Sequence, residues 1–450
     1  MTDYLQVREN EYALLGDQSL MLVGKALDPK PRTLKDPDAS KTSEISNWGD
    51  DNNYPQWVLE QIKDVTLVEP ILDWKARALY SGGLAYGVLT VDENGEEQFR
   101  RIIDSEIEQW LESTDIHHYI ERTTINFYTF WQAFAQLTQG KGGNKIVYLT
   151  PLDTPAARYQ KKATKPSYIK KLYYSPDWEK YNDKSKEVEK FDLYNPIFSD
   201  LEAWKKIPNH QFAFTISSPT PGRAYYQKAP WHVILTTWIP IARAIPEFKK
   251  ALLKNQLTIK YIIKVPEWWW SHKYKDWERK TEKQRLEIFK KEKEEFEKFF
   301  KGERQGNSLM YTQKDSNPAK KYSEWEVTVI DDKVKTGMYI EDSQEADAHI
   351  FKNLGVDPTL FGNGSGKDRS GAGSGSDKRV AWNNYIMMTK PHQDKILAPL
   401  QLIARWNGWD QRLAPKEGEK LVFWMKNYQI ARLDSGSEVQ ESSNSNKVTS

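Results

Sequence analysis

The chain has 450 residues, enough for two or three domains whose cores can be buried without disulfides or structural metals. It contains no cysteine, which excludes disulfides, thiolate nucleophiles, cysteine-ligated zinc and iron–sulfur clusters. Its 65 lysines and arginines and 63 aspartates and glutamates leave a net charge of only +2. Tight, sequence-independent DNA binding by the isolated chain is therefore not expected.

The sequence predicts neither a secretory signal nor a membrane span. The N-terminal residues MTDYLQVREN include acids and lack an apolar run. The longest uncharged apolar stretch, 229–242, contains prolines and is shorter than the roughly 18 residues that a span needs. We therefore expect no membrane partner.

The N-terminal part of the chain predicts an arm followed by helices. Residues 28–38 are rich in proline, aspartate and lysine, which predicts an arm or loop within 1–49. Apolar residues recur at helical spacing over 54–79. We expect Pro70 to divide this stretch into two helices.

A hairpin and a long helical stretch are predicted next. Residues 84–90 and 97–102 have strand-like composition on either side of Asn94-Gly95, a good hairpin signal. Residues 104–137 carry apolar side chains at helical spacing and predict a rod of helix, in which His117-His118 mark a candidate break.

Residues 146–215 are predicted to be rich in strands, because four short runs there contain many β-branched and aromatic residues. The surrounding segment 141–190 holds 12 basic and 6 acidic side chains, the largest basic excess in the chain. This excess predicts either a binding surface or an ordinary solvated one. The lysines of the candidate surface are Lys161, Lys162, Lys165, Lys170 and Lys171.

Residues 230–263 predict a second long helix, which Pro240 and Pro246 should kink or split and Pro266 should end. The remaining predicted elements are a helix over 276–301, strands over 308–312 and 325–330, a helix over 343–354, a helical stretch over 380–406 interrupted by Pro391 and Pro399, and a strand near 420–424. Residues 434–450 are polar and of low complexity, which predicts disorder.

Residues 361–379, FGNGSGKDRSGAGSGSDKR, have six glycines and predict a flexible loop. The loop does not fit a Walker A phosphate site, because Phe361 stands where a glycine is required and Asp368 stands where serine or threonine is required. It is either a mobile surface loop or a loop that faces a moving partner. For the second interpretation its cations would suit a phosphate backbone: Lys367, Arg369, Lys378 and Arg379.

No catalytic or metal-binding set is predicted. The seven histidines form no pair at metal-ligand spacing, and the sequence has no G-x-S-x-G motif for acyl transfer. The acids between 92 and 112 are typical of a solvated hairpin and helix face. We therefore expect a non-enzymatic protein without a metal or cofactor.

The chain has 18 tryptophans, among them the consecutive Trp268, Trp269 and Trp270. Three consecutive indoles cannot all face one core, so we expect at least one to contact another domain or another subunit. Packing inside a core is the alternative interpretation.

The order of these parts resembles that of the portal proteins of tailed bacteriophages, in the HK97-like portal family. The resemblance is carried by WGDDNNYPQWVLEQIKDVTLVEPILDWKARALYSGGL (48–84), SPTPGRAYYQKAPWHVILTTW (218–238) and NLGVDPTLFG (353–362). In that family a pattern like the last one follows an apolar helix and precedes a loop and a proline-containing helix.

The resemblance implies an α+β, portal-like fold that assembles into a homo-oligomeric, dodecameric ring. The regions it implies are an N-terminal arm (1–49), a wing (50–103 and 267–360), stem helices (104–140 and 223–266), a clip (141–222), a tunnel loop that approaches DNA (361–379), a crown (380–433) and a disordered tail (434–450).

The resemblance also implies a function, partners and a location. The ring would occupy one capsid vertex of the virion, after assembly in the host cytoplasm, and would conduct double-stranded DNA during packaging and ejection. Its partners would be terminase, a head–tail adaptor and the major capsid protein. A near-zero net charge agrees with such a channel, because tightly held phosphates would oppose sliding. The alternatives are a nucleotide- or nucleic-acid-processing enzyme and another head–tail connector.

Overall fold

The computed structural model describes residues 43–91, 95, 97–142, 145–162, 168–207, 210–255, 259–300, 307–313, 325–329, 338–361, 375–416, 418–430 and 440–442. These residues form two compact units. One comprises the described residues up to Ile241 together with those from Gln344 onward, and the other comprises those within Ala242–Ser343. The mixture of helices and sheets confirms the coarse fold class.

The helices and strands within these ranges are numbered in chain order. The helices are α1 (Tyr54–Ile62), α2 (Val68–Leu79), α3 (Ser105–Ser113), α4 (Ile116–Phe130), α5 (Leu201–Lys205), α6 (Trp238–Asn255), α7 (Glu267–Lys273), α8 (Glu282–Phe300), α9 (Met338–Leu354), α10 (Gly375–Trp406) and α11 (Trp409–Leu413). The strands are β1 (Leu84–Val91), β2 (Glu97–Arg101), β3 (Gln132–Gln139), β4 (Ile146–Leu152), β5 (Ala157–Tyr159), β6 (Lys171–Tyr174), β7 (Glu189–Tyr194), β8 (Gln211–Ser217), β9 (Ile259–Pro266), β10 (Asn307–Gln313), β11 (Glu326–Val329), β12 (Lys420–Met425), β13 (Asn427–Gln429) and β14 (Gln440–Ser442).

The main sheet of the first unit has six strands in the order β4-β3-β8-β7-β6-β5. Neighbouring strands are antiparallel except β7 and β8, which are parallel. The chain just before α1 continues the sheet beyond β5, since Ser46 N donates to Tyr159 O and Lys161 N donates to Glu44 O, each at 2.8 Å. This segment covers backbone groups that an edge strand would otherwise expose. The strand-rich prediction for 146–215 is confirmed.

The predicted hairpin is present in a three-stranded sheet of order β12-β1-β2. Strands β1 and β2 are antiparallel, and Gly95 between them has a φ of +82°, which glycine adopts without strain. The strand predicted near 420–424 is β12, which pairs with the other edge of β1.

The stretch 54–79 forms two helices as predicted, but the break does not lie at Pro70. Helix α1 ends at Ile62 and α2 begins at Val68. Pro70 therefore lies in the first turn of α2, where its missing N–H removes no intrahelical hydrogen bond.

The continuous rod of helix predicted over 104–137 is wrong, and the helix breaks at residues 114–115, close to the candidate break at His117-His118. The structure has α3 and α4, and then the strand β3 from Gln132 onward. Helix α4 ends because Trp131 adopts a left-handed conformation, with φ +62°, and its N–H donates to Phe127 O at 2.7 Å. Strand β3 lies inside the sheet and is buried on both faces, so its sequence lacks the alternation that marks a strand.

The second long helix, predicted over 230–263, is wrong at both ends. Its first residues form a 3-10 helix, Pro230–Thr236, and its last residues belong to the strand β9. The run IKYIIKV in β9 is rich in β-branched residues, which favour strands. Between these elements lies α6, with Pro240 in its first turn and Pro246 in its interior.

Helix α10 is continuous over 32 residues. The predicted interruptions at Pro391 and Pro399 are therefore wrong, and the loop predicted to reach residue 379 gives way to helix at Gly375. Core packing holds the C-terminal half of α10 and compensates for the hydrogen bonds that the prolines remove. The side chains that are 1% exposed or less there include Ile396, Leu397, Leu400 and Ile403.

The end of the chain contains one short ordered pair of strands. Strand β14 pairs with β13 in antiparallel register, so the disorder predicted over 434–450 is wrong for residues 440–442. The rest of that tail lies outside the described residues.

The second unit contains a three-stranded sheet of order β10-β9-β11. Strand β9 is parallel to β10 and antiparallel to β11. The strands predicted near 308–312 and 325–330 are confirmed, and so are the helices predicted over 276–301 and 343–354, although α8 starts later and α9 earlier than expected.

Candidate nucleic-acid and partner interfaces

Two of the four cations predicted to face DNA lie at the start of α10. The Lys378 side chain is exposed, and Arg379 is partly buried and donates from Nη2 to Ser376 Oγ at 3.3 Å. Lys367 and Arg369 lie outside the described residues. The first turns of α10 hold these two cations and the acid Asp377, a net charge of +1 next to the positive end of the helix dipole.

Helix α2 contacts both flanks of the glycine-rich segment. The Trp74 ring centroid lies 5.4 Å from that of Phe361, the last described residue before the segment. It lies 4.9 Å from Tyr385 and 6.2 Å from Trp382, both on α10. Phe361 also contacts Phe351 of α9 at 5.5 Å. One indole thus joins the residues that enter and leave the segment.

The exposed lysines of the predicted clip surface lie beside tyrosine rings. Lys162 Nζ is 5.3 Å from the Tyr225 ring centroid, and Lys162 N donates to Tyr225 Oη at 2.9 Å. Lys170 Nζ is 6.0 Å from the Tyr168 ring centroid. These contacts are within or at the limit of cation–π range, and they hold the ammonium groups at the surface.

The other lysines of that surface differ in their surroundings. Lys161 and Lys171 are partly buried, and Lys171 on β6 pairs in register with Asp192 on β7. A carboxylate beside a lysine offsets its charge. Lys165 lies outside the described residues.

The three consecutive tryptophans have different surroundings. Trp270 is fully buried in the core of the second unit. Trp269 is partly buried and lies edge-on to Trp325, with centroids 4.9 Å apart. Trp268 is partly buried, 6.1 Å from the His272 ring. Trp270 thus belongs to a core, whereas a subunit contact at Trp268 or Trp269 stays a prediction.

His232 is buried and His392 is partly buried. His232 donates from Nε2 to Thr129 O at 2.7 Å and accepts at Nδ1 from Tyr54 Oη at 2.9 Å. Burial lowers the pKa of His232 to about 3, and burial together with nearby Lys75 lowers the pKa of His392 to about 4. Both rings are therefore neutral near pH 7.

Within the described ranges, no group of three or more histidines or carboxylates is arranged to hold a metal ion. None of the helices in the same ranges is long and apolar enough to cross a bilayer.

Comparison with known proteins gives similarity at the level of structure. No protein-family model matches the chain, and no curated protein matches it. A chain in the virion of a native gene transfer agent (GTA) particle has a TM-score of 0.50 and 12% identity, with 81% of this chain and 82% of that chain covered. A chain in the neck of a native GTA particle, computed with C12 symmetry, has a TM-score of 0.50 and 13% identity, with coverage of 82% and 83%. This chain shares their fold.

Sequence reasoning missed a buried arginine that fixes the sheet edge. Arg158 on β5 is 0% exposed, and it donates to Asn52 Oδ1 at 2.6 Å and to the backbone oxygens of Asn52, Pro155 and Ala157. Burial lowers the pKa of Arg158 to about 10. The basic composition of the segment hid this role, because a single sequence does not separate a buried cation from an exposed one.

Proposed function

We propose that this chain is the portal subunit of a tailed-phage-like particle. It forms a homo-oligomeric ring at one capsid vertex, through which double-stranded DNA enters during packaging and leaves during ejection. Terminase docks on the ring first and a head–tail adaptor later, while the major capsid protein surrounds it. The observation that carries the proposal is the fold likeness, which extends over 81% and 82% of this chain in the two comparisons.

The symmetry of the similar neck particle supports a ring of twelve subunits, since that particle was computed with C12 symmetry. In a cyclic ring each subunit presents one surface to the next subunit and a different surface to the previous one. The proposed dodecamer therefore needs two complementary faces on each chain.

The small net charge of the chain favours movement of DNA through the ring over tight retention of the duplex. Each phosphate that a protein neutralises adds to a salt-sensitive affinity, and a strongly basic lining would hold the duplex in place. The net charge of +2 avoids this. Exposed cations such as Lys378, repeated by the ring symmetry, supply weak contacts that a moving duplex can exchange.

Co-expression with the major capsid protein of the same genome, once alone and once with terminase and DNA so that heads are filled, tests the portal role. A portal is built into the shell as it assembles, so procapsids that have never held DNA should carry this chain at one vertex. Absence of the chain from such procapsids, together with its presence on DNA-filled heads, would contradict the portal role.

That second result would instead favour another head–tail connector. The similar chains come from a virion and from a neck, which agrees with either candidate function. The same experiment therefore separates the two candidate functions.

A further inference from the structure

Helix α9 ends at a turn that helix α2 contacts. Gly355, with φ +69°, turns the chain out of the helix, and Val356 N donates to Phe351 O at 3.2 Å. Lys75 of α2 then donates from Nζ to Leu354 O at 2.7 Å. A cation at this carbonyl also favours the negative end of the α9 dipole.

The Lys75 ammonium lies in a buried cluster formed with α4 and α10. Its Nζ is 4.4 Å from the Tyr128 ring centroid, within cation–π range. Tyr128 Oη lies 3.4 Å from His392 Nδ1. Lys395, three residues after His392 on α10, donates to Ser218 Oγ at 2.9 Å. The neutral state of His392 spares Lys75 another charge beside it.

Keeping a charge at this position opposes folding. Burial lowers the pKa of Lys75 to about 8, and among the described residues no carboxylate offsets that shift. A buried ammonium that is held by one carbonyl and one ring contributes little net stability and can reduce it. The hydrogen bond from Lys75 to Leu354 instead fixes the position of the end of α9 against α2.

We propose that Trp74 and Lys75 form an anchor that holds the two flanks of the glycine-rich segment at a fixed spacing. Trp74 joins Phe361 to α10, and Lys75 holds the end of α9, so consecutive residues of one helix control both flanks. In the ring proposed above, this anchor sets where Lys378 and Arg379 are presented to DNA. Both anchor residues are positioning residues, and neither contacts the duplex.

A distance measurement between the flanks tests the anchor. The chain has no cysteine, so spin labels at Lys352→Cys on α9 and Asn384→Cys on α10, both exposed positions, report one distance by pulsed electron resonance. In the chain that carries only these two cysteine substitutions, we expect a narrow distribution of label-to-label distances. Lys75→Met and Trp74→Ala should each broaden it about twofold, because the flanks then move independently.

A stability control separates positioning from a general structural role. Lys75→Met should leave the thermal midpoint unchanged or raise it, because it removes a buried charge and keeps an apolar side chain of similar length. Arg77→Met, which removes an exposed cation paired with Asp73 on the same helix, should change neither midpoint nor width. Unchanged widths in both Lys75→Met and Trp74→Ala would overturn the anchor.

Only the effect of the anchor on DNA binding rests on the proposed function, and the anchor itself does not. The distance measurement needs neither a ring nor DNA, so failure of the portal proposal leaves its result unaffected. If rings form, Lys75→Met rings should lose affinity for duplex DNA although Lys75 itself makes no phosphate contact. Unchanged affinity with a broadened distance would overturn the link between the anchor and DNA presentation.

Discussion

One buried and one partly buried histidine make the stability of this chain depend on pH. His232 and His392 have folded-state pKa values of about 3 and about 4, whereas an unfolded histidine titrates near 6.5. Between these values the unfolded chain binds more protons than the folded chain. The free energy of unfolding therefore falls as the pH is lowered through this window.

We predict that each of these histidines lowers the free energy of unfolding by up to about 1.4 kcal/mol per pH unit as the pH falls from 6.5 to 4. Denaturant titrations across this range measure the slope. His232→Gln should lower stability at pH 7 and flatten the slope, and His118→Gln, at an exposed position, is the control. An identical slope in His232→Gln would contradict the buried, neutral state of this ring.

The cations at the start of α10 carry a prediction about DNA. Replacing Lys378 and Arg379 with alanine in assembled rings should weaken duplex binding and lower its dependence on salt, by about one unit of slope for each phosphate that is no longer neutralised. Arg405→Ala, an exposed arginine at the opposite end of α10, is the matched control. If the Lys378 and Arg379 variant and the Arg405→Ala variant changed DNA binding equally, the proposed contact between the start of α10 and DNA would be contradicted.

At the scale of elements, α10 has a buried half and an exposed half. Its C-terminal half lies in the core, whereas Val380, Met387 and Met388 in its first half are 52%, 67% and 77% exposed. Methionine is enriched at protein interfaces, and Val380 and Met387 lie on one face of the helix, about two turns apart. In the proposed ring, the partner for this face is a second copy of the chain.

We predict that Met387→Glu with Met388→Glu prevents or weakens ring assembly while the monomer unfolds at the same temperature. The charges remain solvated in the monomer, but burial against a neighbour would desolvate them. Mass photometry measures the assembled fraction. Ile103→Glu, at a side chain that is 82% exposed on a different part of the chain, is the control. Normal assembly of the methionine variant would exclude this face from the interface.

Elements that follow a local rule could be predicted from the sequence. The hairpin around Gly95 and the helix α8, with its apolar side and glutamate–lysine pairs, depend on neighbouring residues and were confirmed. The helix predicted through 137 failed because β3 is buried on both faces by elements distant in sequence. Helix α10 continues through Pro391 and Pro399 for a similar reason, since tertiary packing outweighs local preference.

From the sequence, the candidate sites could be predicted only as segments of unusual composition. The glycine-rich segment and its cations could be recognised in the sequence, and Lys378 is indeed exposed. The contacts of Trp74 with Phe361 and of Lys75 with Leu354 join residues far apart in the chain, 279 positions in the second case. The local sequence around α2 does not predict such pairs, because they arise from the way the helices pack.

At the scale of the whole molecule, the proposed function depends on many copies of the chain enclosing a passage for DNA. A net charge that favours sliding over retention agrees with this arrangement. The wing, stem, clip and crown regions that the family resemblance implies stay predictions.

Electron cryo-microscopy of the purified full-length chain tests this central claim most directly. We expect closed rings of twelve subunits with an axial channel wide enough for double-stranded DNA and with the start of α10 facing that channel. A population made up only of single, separate chains under conditions that favour assembly, or particles closed along the axis, would contradict the portal proposal.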